Sequence, residues 1–317
     1  MDEEEKMLIS VCIPCYKSAK NLPLVVADIK NEFQKRGQDY QIVLVNDGSP
    51  DDTFVVILQL CKEDSRITGI DLSRNYGQPS AKLAALQQAK GDVIVFMDDD
   101  GQHPAEGIFK LTDKLNEGYD VVYAEFKNKK HGAFKKFMSD LHNWVAELMG
   151  NKPKGIKRSS FTAWSRTVVD AMLTYKSPFI SIGSFLMKVT SKYGNVEIEH
   201  HERISGSSGY TFKKLFRMWL NIFISFSMMP LRIATYLGFL FSGFSFIWMV
   251  YLLVRSVVRP IKVSGYTSTL LAILFVGGMI MVILGIMGEY LGRIYMTVSG
   301  MPQYYIREVI NGRDDNC

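Results

Sequence analysis

Cysteine is scarce in this chain: 317 residues carry four, Cys12, Cys15, Cys61 and Cys317. Cys12-Ile-Pro-Cys15 has the spacing of a redox or zinc pair, but it lies inside an apolar strand pattern and no second pair completes a zinc site. The thiols are therefore read as reduced, in a cytosolic domain. A strong charge of one sign is also lacking. Formal net charge is +5, from 37 Lys and Arg against 32 Asp and Glu, which is not the footprint of a nucleic-acid binder. No G-x-G-x-x-G follows the first apolar run, and G-x-x-x-x-G-K-[ST] occurs nowhere, so the main dinucleotide and P-loop readings lose their support. Residues 1–6, Met-Asp-Glu-Glu-Glu-Lys, have the wrong charge for a secretory signal.

What is present centres on Met97-Asp98-Asp99-Asp100-Gly101-Gln102-His103-Pro104. The uncharged run Val93–Met97 leads into it and reads as a strand buried on both faces. Three adjacent carboxylates repel one another and are costly to desolvate together. A divalent cation resolves that conflict: in an extended backbone Asp98 and Asp100 point to one side, and Gln102 continues the alternation with a neutral oxygen. Oxygen-only ligands suit Mg²⁺ or Mn²⁺ rather than zinc. The competing reading is a solvated acidic turn. Placement at a buried strand's end favours a ligand site, since open α/β sheets bind ligands at the carboxyl ends of their strands.

Around this stretch, strands alternate with helices. Strands are expected at 8–13, 41–45, 67–72, 93–97 and 120–123, with helices at about 21–36, after Asp51, at 79–89 and at 104–116. The alternation implies a doubly wound, mostly parallel α/β sheet. Polar segments follow strands one, two and four, so they are expected to line one crevice.

Charge then disappears. Ile233–Val254 and Thr269–Gly288 contain no charged residue, and about 20 residues suffice to span a hydrocarbon core of roughly 30 Å. Buried core helices are the alternative. Two such runs joined by the short loop Arg255–Ser268 read as a transmembrane hairpin. Before them, apolar Phe212, Leu215, Phe216, Trp219, Ile222, Phe223 and Phe226 interleave with Lys213, Lys214 and Arg217. That amphipathic pattern fits a helix in the membrane interface, or one packed on the soluble domain. The expected division is 1–210 catalytic, 211–230 interfacial, 231–297 membrane-spanning and 298–317 a cytosolic tail. The large domain is placed in the cytosol, on a multi-pass protein of the cytoplasmic (inner) membrane. Glycine-rich spans leave room for a homo-oligomer.

Val11–Tyr16, Val45-Asn46-Asp47-Gly48-Ser49-x-Asp51-Asp52-Thr53 and Asp98-x-Asp100-x-Gln102-His103-Pro104 together resemble glycosyltransferase family 2. With the hairpin, and with Arg203-x-x-Gly206-x-Ser208-x-Tyr210, the chain resembles its polyprenyl-phosphate branch, which includes dolichol-phosphate mannose synthase and the bactoprenol glucosyltransferases. The resemblance implies a GT-A-like fold and inverting transfer of a sugar from a nucleotide-diphosphate donor to a polyprenyl (undecaprenyl or dolichyl) phosphate. It implies donor contacts at Pro14, Tyr16, Asp47, Asp98 and Asp99, and a metal held by Asp98, Asp100 and Gln102. A carboxylate such as Asp47 can accept from a ring N–H of a pyrimidine or guanine; a turn aspartate bonded to its own backbone is the alternative. Asp100 and Arg203 are the expected catalytic groups. Lys127, Lys129, Lys130, Arg203 and Ser208 are the expected phosphate binders, with lipid headgroups or plain solvation as other uses of the lysines. Ser159–Arg166 resembles a further strand of the family, where Ser160 and Thr162 stand in place of its common Asp and Arg, and Gly209 stands where the family has Lys. An acceptor phosphate, whose second pKa is about 6, is already a nucleophile and requires no strong base. The other readings are a polysaccharide-elongating member of the family and an inactive membrane-anchored scaffold.

Overall fold

The computed structural model describes residues 7–126, 155–174, 182–199, 265–300 and 302–312, with isolated helical positions between 236 and 254. The chain forms two compact units, Met1–Gly209 with Pro302–Cys317, and Tyr210–Met301.

The first unit is built on an eight-stranded sheet. Its strands are β1 (Ile9–Cys15), β2 (Tyr40–Asn46), β3 (Ile67–Leu72), β4 (Val93–Phe96), β5 (Val121–Phe126), β6 (Thr162–Ser165), β7 (Tyr193–Ile198) and β8 (Ile306–Ile310), in the order β7-β5-β6-β4-β1-β2-β3-β8. Pairing is parallel among β4, β1, β2 and β3 and between β5 and β7. It is antiparallel on both sides of β6 and between β3 and β8. The expected mostly parallel α/β sheet is therefore present.

Each central strand sends alternate side chains into two cores. Val11, Ile13, Ile42, Leu44, Val93 and Val95 face one, with Leu22, Val26, Ile29 and Phe33 of α1 (Leu22–Arg36), Ile57 of α2 (Thr53–Glu63) and Ile108 and Leu111 of α4 (Glu106–Asn116). Cys12, Val43, Val45, Ile94 and Phe96 face the other, with α3 (Gln78–Gln88), α5 (Arg166–Leu173) and α6 (Ile182–Val189). Burial on both faces is why these strands read as unbroken apolar runs rather than alternating ones.

The sequence order of the strands reverses between β1 and β4, the topological switch point where open α/β sheets bind ligands. Strand β1 runs two residues past its expected end, through Pro14. The β1–β4 ladder stops at Cys12–Phe96, and the Cys12 carbonyl accepts from Met97 N–H. Pro14 points the same way, beyond the last rung, so its missing N–H costs no ladder bond.

Two strands, β7 and β8, join the five expected ones and the likeness-based β6. The segment expected as a cytosolic tail contributes a strand to the sheet. Its Ile306–Ile310 pairs antiparallel with β3, because β3 would otherwise present an unpaired edge. In the second unit, α7 (Tyr266–Val298) spans 33 residues, and within it Phe275–Val298 is apolar and long enough to cross a membrane. Its exposed surface carries Ile273, Phe275, Ile280 and Leu284. At 1.5 Å per residue it is about 50 Å long; its later turns hold Glu289 and Arg293, ion-paired at 2.7 Å. The amphipathic segment 211–230 lies outside the described residues, and only scattered positions of the first apolar run fall within them.

Two features at the carboxyl ends of the strands test this architecture. Gly48 has φ +58°, and a Cβ there would lie 2.4 Å from the backbone of Arg74 and Asn75. Gly48→Ala is expected to destabilise the fold by about 1–3 kcal/mol, measured as a lowered denaturation midpoint. Asp99 joins the ends of β4 and β1, accepting from Tyr16 N–H at 3.1 Å and from the Ser18 hydroxyl. Burial raises its carboxyl above the ordinary range, against the lowering by those two bonds, and the charge of Asp98 adds to the rise. A raised carboxyl contributes stability in full below its unfolded pKa, lost as pH rises through the folded one. Asp99→Asn keeps an acceptor oxygen and removes this titration. Its melting temperature should exceed that of the unsubstituted chain near neutral pH, and the gap should narrow toward about pH 4. A gap that does not move with pH contradicts the assignment.

Candidate active site

The crevice forms where the loops after β1, β2, β3 and β4 tie to one another. Lys17 N–H donates to Ser49 Oγ at 3.1 Å and Ser18 N–H to Thr53 Oγ1 at 2.9 Å, joining the β1 and β2 loops. Asp47, at the end of β2, accepts from Tyr76 N–H at 2.7 Å and Gly77 N–H at 2.9 Å, clasping the loop after β3. Its carboxyl is raised by burial, against those two bonds. It is thus neither a free carboxylate nor a self-bonded turn aspartate. Its oxygens hold a neighbouring loop and keep further lone pairs for a ligand.

The acidic turn continues the pattern. Asp98 Oδ1 accepts from Gln78 Nε2 at 2.9 Å and Oδ2 from Ser160 Oγ at 2.5 Å. Asp100 Oδ1 accepts from Gln102 N–H at 3.1 Å, in a turn where Gly101 takes φ +73°. Asp98, Asp100 and Gln102 are half-buried. Pro14 and Tyr16 lie at the end of β1 beside this turn, and the Tyr16 ring is exposed at the rim with Lys17 Nζ 5.6 Å from its centroid.

Three residues that sequence reasoning gave no role support the turn. His103 Nδ1 accepts from Asp98 N–H at 3.0 Å, which leaves the ring proton on Nε2, 3.8 Å from Asp98 Oδ2. Its ring stacks between Phe161 and Phe126, at 4.8 and 5.6 Å between centroids. Lys82 is buried over the Phe96 ring, with Nζ 3.4 Å from the Ser160 carbonyl oxygen. Burial lowers its pKa, and the charge of Asp98 opposes that shift. Gln78 is the third. Apart from the Gln-His-Pro run, little in the sequence marks them, since Gln78 and Lys82 look like ordinary polar positions of an amphipathic helix. Ser160 gains a definite place: its hydroxyl orients Asp98.

Among the described residues no group of three or more His, Cys, Asp or Glu side chains is gathered as a metal site. The donor chemistry nevertheless fits a hard cation. Asp98, Asp100 and Gln102 offer only oxygens, and Mg²⁺-like ions take one or two carboxylates and complete their shell with water and substrate phosphate. The expected phosphate binders Lys127, Lys129, Lys130, Arg203 and Ser208 lie outside the described residues.

Comparison with known proteins agrees with this geometry. The description "Glycosyl transferase family 2" matches residues 10–187, and "GtrB C-terminal hairpin" matches residues 229–294. The chain is 32% identical to an undecaprenyl-phosphate 4-deoxy-4-formamido-L-arabinose transferase of Photorhabdus laumondii, over 100% of this chain and 98% of that relative. It is 34% identical to the putative glycosyltransferase CsbB of Bacillus subtilis, over 95% and 92% of the two chains. The glucosyl-3-phosphoglycerate synthase of Mycobacterium tuberculosis, solved with Mn²⁺, UDP and phosphoglyceric acid, shares the fold with a TM-score of 0.51. That likeness has 16% identity and covers 69% of this chain and 76% of the synthase. The polar crevice at the switch point and these matches lead to one conclusion: the chain belongs to glycosyltransferase family 2.

Proposed function

We propose that the protein transfers a sugar from a nucleotide-diphosphate donor to a polyprenyl phosphate, at the surface of the membrane that holds its apolar helices. The observation that carries this reading is the acidic turn. Asp98 is fixed from two sides by Gln78 and Ser160, and Asp99 is spent on tying β4 to β1. Asp98 and Asp100 thus present oriented carboxylate oxygens just past the end of β4. The full-length similarity to a named undecaprenyl-phosphate sugar transferase supports the acceptor class.

In this mechanism Asp47 and the Pro14–Tyr16 segment hold the base and ribose. Asp98, Asp100 and Gln102 would hold a Mg²⁺ or Mn²⁺ ion, which when bound would supply charge neutralisation for the leaving diphosphate. The acceptor phosphate attacks from the face opposite the leaving group, inverting the anomeric centre. Arg203, with Lys127, Lys129, Lys130 and Ser208, brings the two anionic groups together. A polyprenyl tail leaves the bilayer at a cost of about 0.8 kcal/mol per CH₂, so the site must work where the phosphate emerges. That gives α7 and the preceding apolar run their purpose, as the two spans of an anchoring hairpin.

The test uses the full chain in membranes, a panel of labelled nucleotide sugars and undecaprenyl phosphate. Label should enter a lipid fraction that releases it in mild acid. Label found only in polymer contradicts the lipid acceptor, and no transfer from any donor contradicts an active enzyme. Asp100→Ala should reduce turnover by at least about 10²–10³-fold, the scale for losing one electrostatic stabiliser of developing charge. Chelation should abolish activity and added Mn²⁺ or Mg²⁺ restore it. Undiminished transfer in chelator refutes the metal assignment.

A further inference from the structure

Strand β8 brings one charged side chain into the architecture of the crevice. Arg307 Nη1 donates to Asp71 Oδ2 at 2.9 Å, and Nη2 donates to the Ser73 carbonyl oxygen at 3.0 Å. Asp71 is buried near the end of β3, with its other oxygen accepting from Asn46 Nδ2 at 2.7 Å. Asn46 Oδ1 in turn accepts from Ser49 N–H at 3.2 Å. On the other side, Ser73 N–H donates to the Tyr305 carbonyl at 2.9 Å.

Two routes therefore leave one guanidinium. One passes through Asp71 and Asn46 to the turn after β2. The other passes through Ser73 to the loop after β3. They meet at Asp47, whose carboxylate holds Tyr76 and Gly77. The strand that carries Arg307 is itself fixed: Tyr304 and Ile306 pack against the same core as Tyr76, and Asn311 donates to the Cys61 and Ile67 carbonyls. Covering an exposed strand edge requires only the backbone ladder. A two-pronged contact to a buried carboxylate and a loop carbonyl does more, because a planar guanidinium fixes both acceptors at once.

We propose that Arg307 is a positioning residue for the nucleotide-sugar site, setting the spacing of the two loops that Asp47 joins. The C-terminal strand is then a part of the donor site, although it follows α7 in the chain and shares none of the family's motifs. This inference rests on the donor-site reading above.

The test uses the full chain and follows transfer kinetics together with protection against thermal unfolding by UDP and by GDP. Arg307→Ala should raise the donor KM about tenfold, the scale of one lost charge-assisted hydrogen bond, and leave the acceptor KM unchanged. Arg307→Lys keeps a cation for Asp71 but cannot reach both acceptors. It should fold like the unsubstituted chain, with a donor KM between the two and weaker protection by the nucleotide. Arg307→Lys decides the matter if Arg307→Ala fails to fold. An unchanged donor KM and unchanged nucleotide protection in Arg307→Lys overturn the proposal, as does a fall in kcat alone, the mark of a merely structural residue. If the unsubstituted chain is protected by neither nucleotide and transfers no sugar, it is the donor-site reading that has failed.

Discussion

Three adjacent carboxylates that repel one another must be oriented without being neutralised, and the rest of the crevice follows from how this is done. Uncharged donors reach each of them. Gln78 and Ser160 serve Asp98, Tyr16 N–H and the Ser18 hydroxyl serve Asp99, and Gln102 N–H serves Asp100. Neutral hydrogen bonds orient the oxygens and leave the charge in place, each at a modest net gain of about 0.5–1.5 kcal/mol. The donors come from the loops after β1 and β4, from the start of α3 and from the segment before β6. The acidic turn is thus the point at which several elements are fastened together.

Beneath the turn, rigidity comes from packing. His103 is fixed by two aromatic rings and by the Asp98 amide, so the chain cannot reverse its direction after Gln102 in any other way without losing stacked area. Lys82 puts a buried ammonium behind this layer, over the Phe96 ring. A positive charge at that depth attracts the Asp98 carboxylate. The Lys82 Nζ donates to the Ser160 carbonyl oxygen at 3.4 Å, in the residue whose hydroxyl orients Asp98.

The central strands were legible because burial on both faces leaves a plain signature: uninterrupted apolar runs ended by polar turns. Strand β6 was legible only through a family likeness. The other two strands lacked either signal. Tyr193-Gly-Asn-Val-Glu-Ile198 is half-buried at one edge and contains Gly194 and Asn195. Ile306-Arg-Glu-Val-Ile310 is short, and its partner β3 lies more than 200 positions earlier in the chain. Within the site, the acidic turn and Asp47 could be read from residue type and strand-end position. The partners could not: Ser160 lies 62 residues from Asp98 and Ser18 lies 81 from Asp99. No local pattern encodes such pairings; they exist only once the sheet order is set.

Ser160 shows how chemistry limits what a site must contain. A carboxylate at this position would bring a fourth negative group against Asp98 and compete with it for any cation. It would be worth that cost where an acceptor hydroxyl has to be deprotonated. With a phosphate as the proposed acceptor the nucleophile arrives already ionised, and there is no proton to remove. A neutral hydroxyl then suffices, and it serves Asp98 better, because it donates a hydrogen bond where a carboxylate could only repel. The substitution that looks like a loss of machinery is consistent with an acceptor that has no need of it.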